Sequence, residues 1–494
     1  MGARRVVSVP SLQNKYVLVI AVMAALLFAA LNQTIIGTLA PRIATELGGS
    51  RQLTWLFTLF MLTSTVATAL IGSFSDRYGR KPFLLIGLFL LITGTFLCGL
   101  SASMQQLIGS RGIQGFGVGI LISMAFTVIG DFFEPHERGR WLGLMTSVYG
   151  LASLFSPTLG GYLVDHANWR WAYWSFLPIG ILAFVAIGFL YPRETKRREK
   201  PLDILGSLWL TTAIISLLLS VNLAGSRFAW SSPTTLVLLL LTLLAAGLFI
   251  RTQRRAQDPV IPLSLFKNRS FTLSALAGFA SSIAMFGTLT YVPLFLQGVT
   301  MTSASIAGYV VMATTLSLVT ANALAGWLLA KPGRARWLAV AGLAAMTAGQ
   351  MLLSVMDAET GVVEIIACLM VFGLGLGTTL SVFALTVQNA VARSRLGAAT
   401  AVYQLFRQLG ATVGLAVMGV MMSMRMGGHA LEGEALLQNP DILGYALSGT
   451  FRLGAYAVAA ALLFTCFLRD NIIISTEGKS ENDQGAVHYG KSEG

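Results

Sequence analysis

The sequence predicts an all-α protein that crosses a membrane many times. Of its 494 residues, 55% are hydrophobic and only 11% are charged, and the mean hydropathy is +0.72. Soluble globular chains carry about 25% charged residues, so a soluble fold would not cover this much apolar surface. Apolar runs also recur along the chain at the length of about 20 residues that a bilayer-spanning helix needs. Composition and run length together indicate a polytopic membrane protein.

Fourteen apolar runs qualify as spans, numbered 1 to 14 in chain order. They lie near residues 16–40, 53–74, 83–102, 105–130, 141–164, 172–191, 204–224, 234–250, 271–297, 305–329, 337–356, 362–388, 398–424 and 450–468. An even number of spans puts both termini on one side. A cytoplasmic N-terminus places most of the 34 Lys and Arg residues in cytoplasmic loops and tails, so we predict an N-in, C-in protein of the cell membrane. The same rule explains the net charge of +13 without nucleic acid as a partner.

Spans 1 and 4 carry polar side chains at membrane depth, namely Asn32, Gln33, Arg111 and Gln114. At a rise of about 1.5 Å per residue, Asn32 lies about 12 Å and Arg111 about 10 Å from the outer ends of their spans, so the two can meet. An arginine inside a span costs roughly 2.5 kcal/mol or more and is a candidate for function. The alternative is that Arg111 only binds backbone carbonyls as a structural strut.

The loop between spans 2 and 3 is short and charged. Its glycines permit a tight turn, and Gly72 allows another helix to approach closely. Asp76 can cap a neighbouring helix or pair with a base. The alternative is that the loop merely follows the positive-inside bias. The candidate residues of this loop are Gly72, Asp76, Arg77, Gly79, Arg80 and Lys81.

Span 5 is rich in small residues and contains a proline. Small residues allow tight helix packing, and Pro157 is expected to bend the helix. The alternative is that these residues form a helix-packing seam without a functional role. The candidate residues are Gly150, Ser156, Pro157, Gly160 and Gly161.

No carboxylate is expected at mid-membrane depth. Glu364, one turn inside span 12, comes nearest, whereas Arg407 in span 13 adds a second intramembrane arginine. A buried base without an acid is costly unless carbonyls, water or a bound anion stabilise it. Asn32 cannot titrate as a carboxylate does.

A faint repeat links the two ends of the chain. The segment from Gly326 to Arg334 can be laid over the segment from Gly72 to Arg80, with Ala330 in the place of Asp76. Both glycines and the basic character are kept.

Several of these segments resemble motifs of the major facilitator superfamily, in particular its fourteen-helix drug:proton antiporter branch (EmrB/QacA-like). The resemblance rests on the charged loop, on Arg111 to Gly119, on the span 5 motif, on Trp169 to Gly180 and on Gly397 to Gly414. It runs from about residue 31 to 420. The branch has Asp at the position of Asn32, Gly at that of Ser156 and Asn at that of Phe176.

The resemblance implies a major facilitator fold of two six-helix halves with two inserted linker helices. The expected divisions are an N-terminal tail (1–15), the first half (16–192), the linker helices 7 and 8 with their basic loops (193–270), the second half (271–470) and a C-terminal tail (471–494). In this family the charged loop latches the halves together, the arginine of span 4 lies near the proton-coupling site, and the span 5 motif distinguishes exporters.

The resemblance also implies a transporter, not an enzyme, that exports small amphipathic organic compounds by alternating access. Because Asn32 cannot carry a proton as a carboxylate does, coupling of transport to protons would have to use Glu364, an acid at a helix end or the substrate itself. One alternative is an exporter or facilitator of a neutral or anionic metabolite without ordinary proton antiport. The fixed charge of Arg111 favours neutral or acidic compounds over lipophilic cations. Another alternative is a receptor or scaffold that transports nothing.

Neither a cofactor nor a metal is expected. The three cysteines lie in apolar runs, and the four histidines lack zinc-ligand spacing. A match to a phosphate-binding loop at 485–492 lacks the strand and helix that such a loop needs. The expected partners are a small-molecule substrate, protons and membrane lipid, and we expect a monomer.

Overall fold

The computed structural model describes residues 12–47, 52–192, 203–224, 231–302, 304–329, 333–392, 395–426 and 440–466. Within these ranges we number sixteen α-helices, and a short 3-10 helix, Leu263–Lys267, precedes α11. The helices are α1 Leu12–Thr34, α2 Ile36–Leu47, α3 Leu53–Tyr78, α4 Arg80–Leu100, α5 Met104–Phe132, α6 Pro135–His166, α7 Trp169–Trp174, α8 Leu177–Leu190, α9 Ile204–Leu223, α10 Pro233–Arg255, α11 Arg269–Gly298, α12 Ala304–Leu328, α13 Ala335–Leu353, α14 Val362–Asn389, α15 Leu396–Arg425 and α16 Pro440–Thr465.

Thirteen helical segments of the described ranges are long and apolar enough to cross a membrane. The first of them, Lys15–Leu39, combines most of α1 with the first four residues of α2, and α7 and α8 together form another. The helix predicted as span 5, α6, has 32 residues but is not among the thirteen. Its first turns carry charged residues, and the rest is rich in Gly, Ser and Thr. The prediction of a many-span helical protein is confirmed, and the fourteenth span stays a prediction.

Two predicted boundaries differ from the structure. The predicted span 6 is interrupted at Ser175 and Phe176, just before Pro178, a residue type that favours the start of a helix. The last helix, α16, begins at Pro440 and not near residue 450, so Arg452 lies near its middle and not at its start. The predicted C-terminal tail, residues 471–494, lies outside the described ranges, as do the first eleven residues of the N-terminal tail.

Local side chains begin several of these helices. Asp203, Ser232 and Asn268 each precede a helix and accept hydrogen bonds from backbone N–H groups of its first turn. Inside the spans, threonine hydroxyls donate to the carbonyl four residues earlier, as Thr127 does to Ser123. A spanning helix must satisfy its polar groups internally because lipid offers no partners.

The helices pack into two groups. In the first group, α1 to α8, α5 packs against α3 and α4, and α1 packs against α5, α6 and α8. In the second group, α11 to α16, α14 packs against α12 and α13, and α11 packs against α15 and α16. The groups contact each other through α3 with α15 and α6 with α12. The pair α9 and α10 packs together, and α9 also contacts α3 and α15.

Close approaches between the groups occur at the end of the molecule where α3 finishes, which we call the Asp76 end. A Cβ at Gly72 on α3 would lie 2.5 Å from Ala401 Cβ and 2.6 Å from the carbonyl oxygen of Gly397 on α15. A Cβ at Gly326 on α12 would lie 2.6 Å from the carbonyl oxygen of Gly139 on α6. The two glycines that the sequence repeat aligns therefore make equivalent contacts. Ala330 and Lys331 of that repeat lie outside the described ranges.

Candidate functional site

A cavity lies between the two helix groups. Its walls come from α1, α3, α5 and α6 on one side and from α11, α12, α14 and α15 on the other. Most of the lining is apolar or carries a hydroxyl or an amide, with Phe126 and Phe286 among the larger side chains. Of the described residues that line the cavity, Arg407 alone is charged. A cavity shared by two packed groups suits a ligand that contacts both.

Two of the six residues expected around a substrate line this cavity, Gln33 on α1 and Arg407 on α15. The Arg407 guanidinium donates from Nη1 to Gln404 Oε1 at 3.2 Å, and its Nε has no hydrogen-bond partner among the described residues. Gly278 on α11 makes room for the stem of this side chain, since a Cβ there would lie 3.3 Å from Arg407 Cγ. Gln408, one residue further on, donates to Thr68 Oγ1 at 3.2 Å and so links α15 to α3.

The other expected polar residues of spans 1 and 4 form a buried cluster that is absent from the cavity lining. Gln114 Nε2 donates to Asn32 Oδ1 at 2.8 Å and to Thr95 Oγ1 at 2.9 Å. The Thr95 hydroxyl donates to Asn32 Oδ1 at 3.1 Å, and Asn32 Nδ2 donates to the carbonyl of Phe28 at 2.8 Å. Asn32 and Gln114 are fully buried.

Arg111 completes this cluster. Its Nη1 donates to the backbone carbonyl of Asn32 at 3.0 Å and to Gln114 Oε1, and its Nε approaches the carbonyl of Leu56 at 3.4 Å. The guanidinium carbon lies 4.0 Å from the centre of the Phe60 ring, a cation–π geometry. Arg111 and Asn32 therefore meet, as their depths predict, but they meet behind the cavity wall. The geometry is that of the structural strut considered as an alternative.

Glu364 lies in the first turn of α14 and is exposed, and it does not line the cavity. α14 begins at Val362, where span 12 was predicted to begin, so Glu364 is the third residue of this helix. Among the described residues, no Asp or Glu lines the cavity.

The charged loop bridges the two groups at the Asp76 end. Asp76 is buried, and its carboxylate accepts hydrogen bonds from the backbone N–H groups of Gly397 at 3.2 Å and Ala398 at 2.9 Å, in the first turn of α15. A helix N-terminus exposes unpaired N–H groups and attracts negative charge. Asp76 also pairs with Arg80 Nη2 at 2.5 Å, and Arg80 Nε pairs with Asp131 Oδ2 at 2.8 Å. An acid of the first group thus caps a helix of the second.

The remaining loop residues hold the surroundings in place. Gly79 adopts φ +92°, which favours glycine, and separates α3 from α4. Lys81 Nζ donates to the carbonyl of Tyr191 at 2.7 Å, just after α8 ends. Arg77 Nη1 lies 3.9 Å from Asp258 Oδ2 in the segment after α10.

The small residues of α6 face both helix groups. A Cβ at Gly150 would lie 2.4 Å from Val319 Cγ2 on α12, and Gly150 also lines the cavity. The Ser156 hydroxyl donates to the carbonyl of Leu31 at 3.1 Å. Pro157 and Gly161 lie within α6, and their surroundings are outside what the structure describes.

We expect Gly160→Leu to abolish transport. A Cβ at Gly160 would lie 3.0 Å from Ile35 Cγ1, at the junction of α1 and α2, so a larger side chain would push α6 away from that junction. The measurement is the transport rate of purified protein in liposomes. Gly188→Leu on α8, where no other atom lies within 4 Å of the added Cβ, is the control. Full activity of the Gly160 variant would contradict this packing role.

A second ionic contact lies where α2, beyond the end of the first spanning segment, meets the start of α7. Glu46 pairs with Arg170 and accepts a hydrogen bond from Trp169 Nε1 at 2.9 Å. The hydrogen bond from Arg170 lowers the pKa of the Glu46 carboxyl below its ordinary value. The contribution of this contact to stability is therefore present above the pKa of the unfolded chain and is lost as the pH falls through the lowered pKa.

Sequence reasoning did not identify three partners in these clusters: Phe60 beside Arg111, Asp131 beside Arg80, and Thr95, which bonds to Gln114 and Asn32. Each is a common residue for its position, namely an aromatic ring or a hydroxyl within a span, or an acid at a helix end. Only the packing of α3, α4 and α5 brings them to these partners. A local sequence pattern carries no signal for such partners.

Comparisons with known proteins show which family this sequence matches and which solved structure has a similar fold. The family model described as Major Facilitator Superfamily matches residues 22–415. The chain is 36% identical over 418 residues to the multidrug transporter protein MdtP of Bacillus subtilis (strain 168), covering 84% of this chain and 76% of that protein. It is 30% identical over 403 residues to multidrug resistance protein 3 of the same organism, covering 82% of this chain and 78% of that protein. Among solved structures, the proton:xylose symporter XylE aligns with a TM-score of 0.65 and 14% identity, covering 90% of this chain and 95% of the symporter, a likeness of fold alone.

Proposed function

This chain belongs to the major facilitator superfamily, and we propose that it exports small amphipathic organic compounds by alternating access. The family and the curated relatives identify a multi-pass membrane transporter, not an enzyme. The observation that carries the proposal is the cavity that both helix groups line, together with the contacts that join the groups at the Asp76 end. Such an arrangement suits a carrier that opens alternately at its two ends.

The membrane arrangement is part of this proposal. We assign fourteen spans with α6 as the fifth, both termini in the cytoplasm, and the Asp76 end to the cytoplasmic face of the cell membrane. The basic loops support this orientation. The two helix groups correspond to the proposed halves, residues 16–192 and 271–470, with residues 193–270 as the linker. We further propose that this chain belongs to the EmrB/QacA-like branch. We also propose that the protein functions as a monomer in the lipid bilayer.

Coupling to protons, if it occurs, does not run through α1. Asn32 is an amide in a closed hydrogen-bonded cluster, and the described residues place no carboxylate on the cavity wall. Glu364 is exposed at a helix start. This arrangement favours a second candidate function, export of a neutral or anionic metabolite without ordinary proton antiport.

Transport by purified protein in liposomes, with the pH gradient and the electrical potential imposed separately, tests the proposal. We expect movement of amphipathic dyes that depends on the protein. A pH gradient that alone drives uphill movement would establish proton linkage and would exclude the second candidate. If no small compound moves while the protein is folded and correctly inserted, the non-transporting receptor or scaffold becomes the better account.

We expect Asn32→Asp to make transport steeply dependent on pH. The new carboxylate would keep the acceptor positions used by Gln114 and Thr95, and it would lie beside Arg111, which already binds the carbonyl of residue 32. A carboxylate beside an arginine in a buried site can bind and release a proton as its surroundings change. The measurement is the pH profile of transport. Asn322→Asp, the same change at a fully buried asparagine of α12, is the control. Identical pH profiles for the Asn32 variant and the unaltered protein would contradict the expectation.

A further inference from the structure

We propose that Arg407 is the anion-binding group of the cavity and that the preferred substrates are amphipathic organic anions, with a carboxylate or sulfonate on an apolar body. This inference rests on the proposed function, because it names the substrate class of the same cavity. It assigns the selection of substrate charge to Arg407. The estimated depth of Arg111 within its span had favoured Arg111 for that role.

The first argument for an anionic substrate is the net positive charge of the cavity lining. Arg407 is the one charged residue in the lining, and the described residues supply no Asp or Glu there. A charge held away from bulk water interacts strongly with other charges because the local dielectric constant is low. A cationic solute would therefore be repelled, whereas an anionic solute would neutralise the arginine.

The second argument is that Arg407 makes few hydrogen bonds to the protein. A guanidinium has five N–H donors in a planar fork that fits a carboxylate. The described contacts of Arg407 are one bond from Nη1 to Gln404, while its Nε has no hydrogen-bond partner among the described residues. Both this Nε and the hydroxyl of Thr314, which also lines the cavity, are buried and unpartnered within those residues. The Arg407 side chain as a whole is half-buried, and its described contacts leave the other terminal N–H donors of the guanidinium for an anionic headgroup.

Arg111 provides the contrast within the same protein. It is 1% exposed, and its guanidinium binds oxygens of Asn32, Gln114 and Leu56 and packs on Phe60. It is not among the residues that line the cavity. One intramembrane arginine thus has protein partners, and the other retains free donor capacity where a solute can reach it.

The rest of the lining fits the apolar body of such a solute. Phe126 and Phe286 come from opposite helix groups, and Met61 and Met285 add flexible, polarisable side chains. Aromatic and methionine side chains accept apolar groups of varied shape. The cavity therefore combines one cationic anchor with an adaptable apolar wall.

Equilibrium binding to the purified, detergent-solubilised protein tests the inference. The probes are carboxyfluorescein, an anion, and tetramethylrhodamine methyl ester, a cation with a similar ring system, and the readout is fluorescence anisotropy. We expect the unaltered protein to bind carboxyfluorescein more tightly. Arg407→Gln should weaken that binding by about ten- to hundredfold, which is the range for hydrogen bonds to a charged group, and should strengthen binding of the cation.

Two further variants make the result specific. Arg407→Lys keeps the charge but loses the planar fork, so we expect it to retain part of the carboxyfluorescein affinity, which a variant that merely failed to fold would not do. Arg251→Gln removes the same charge at an exposed position of α10 and should leave both affinities unchanged. Tighter binding of the cation, no binding of either probe, or unchanged carboxyfluorescein binding by the Arg407→Gln protein would each overturn the inference.

Transport of the same two probes in liposomes separates this inference from the proposed function. If the cationic probe is exported and Arg407→Gln has no effect, the export function stands and the anion site is wrong. If carboxyfluorescein binds through Arg407 but neither probe is moved by folded protein, the anion site stands and the export function is wrong.

Discussion

Asp76→Asn is expected to lower the transport rate by about tenfold or more while the protein still inserts into the membrane. The Asp76 carboxylate accepts two backbone N–H groups of α15 and pairs with Arg80, and both side chains are buried. An asparagine would turn its Nδ2 donor toward one of those N–H groups or toward Arg80. A hydrogen bond to a charged group contributes about 1.5–3 kcal/mol. The bonds to α15 join the two groups, whereas the pair with Arg80 lies within the first group, so weakening the bonds to α15 destabilises the state that is closed at the Asp76 end.

The measurement is the initial transport rate in liposomes at equal amounts of inserted protein. Asp258→Asn is the matched control, since Asp258 lies at the same end and pairs with Arg77 at 3.9 Å, and its side chain is 26% exposed. An ion pair exposed to solvent contributes about 0–1 kcal/mol, so this control should change the rate little. Arg80→Ala, which leaves both Asp76 and Asp131 without their guanidinium, should resemble Asp76→Asn. A normal transport rate for Asp76→Asn or for Arg80→Ala would show that this contact does not control closure.

Gly72→Leu is expected to abolish transport by preventing closure at the Asp76 end. Even a Cβ at this position would lie 2.5 Å from Ala401 Cβ and 2.6 Å from a backbone oxygen, distances at which α3 and α15 must move apart. Backbone cannot give way as the end of a flexible side chain can, so the groups would have to separate. Gly326→Leu, at the equivalent contact of α12 with α6, should have the same effect.

Labelling from the Asp76 side measures this separation directly. A cysteine introduced by Thr315→Cys in a cysteine-free background would line the cavity. We expect Gly72→Leu to increase its reaction with a membrane-impermeant maleimide added at the Asp76 side. Gly188→Leu, where the added Cβ would meet no other atom within 4 Å, should change neither labelling nor transport. Unchanged labelling in the Gly72 variant would mean that the two groups can close around the larger side chain.

Much of the fold is readable from local properties of the sequence. Hydropathy over about 20 residues identified the spans, and thirteen of them are helices of suitable length and composition. The pairing of Gly72 with Gly326 by a faint repeat anticipated two equivalent close contacts between the helix groups. The fifth span was the least apolar of the set because its small and polar residues serve contacts with α1 and α12.

The candidate site was predicted less completely. Asn32 and Arg111 were expected together from their depths, and the structure brings them together. Depth gives the height of a residue along its helix but not the direction in which its side chain points. For that reason Arg111 was expected in the cavity, whereas the rotation of α5 turns it toward α1 and α3.

The sequence by itself determined the membrane class and the succession of spans, and it identified Arg111 and Arg407 as arginines within spans. Only the tertiary structure decided that Arg111 is enclosed by protein oxygens and that Arg407 faces the cavity. The physical reason is that hydropathy and turn chemistry depend on neighbouring residues, whereas the environment of a charge depends on helices far apart in the chain. The oxygens around Arg111 come from α1, α3 and α5, and the walls around Arg407 come from eight helices.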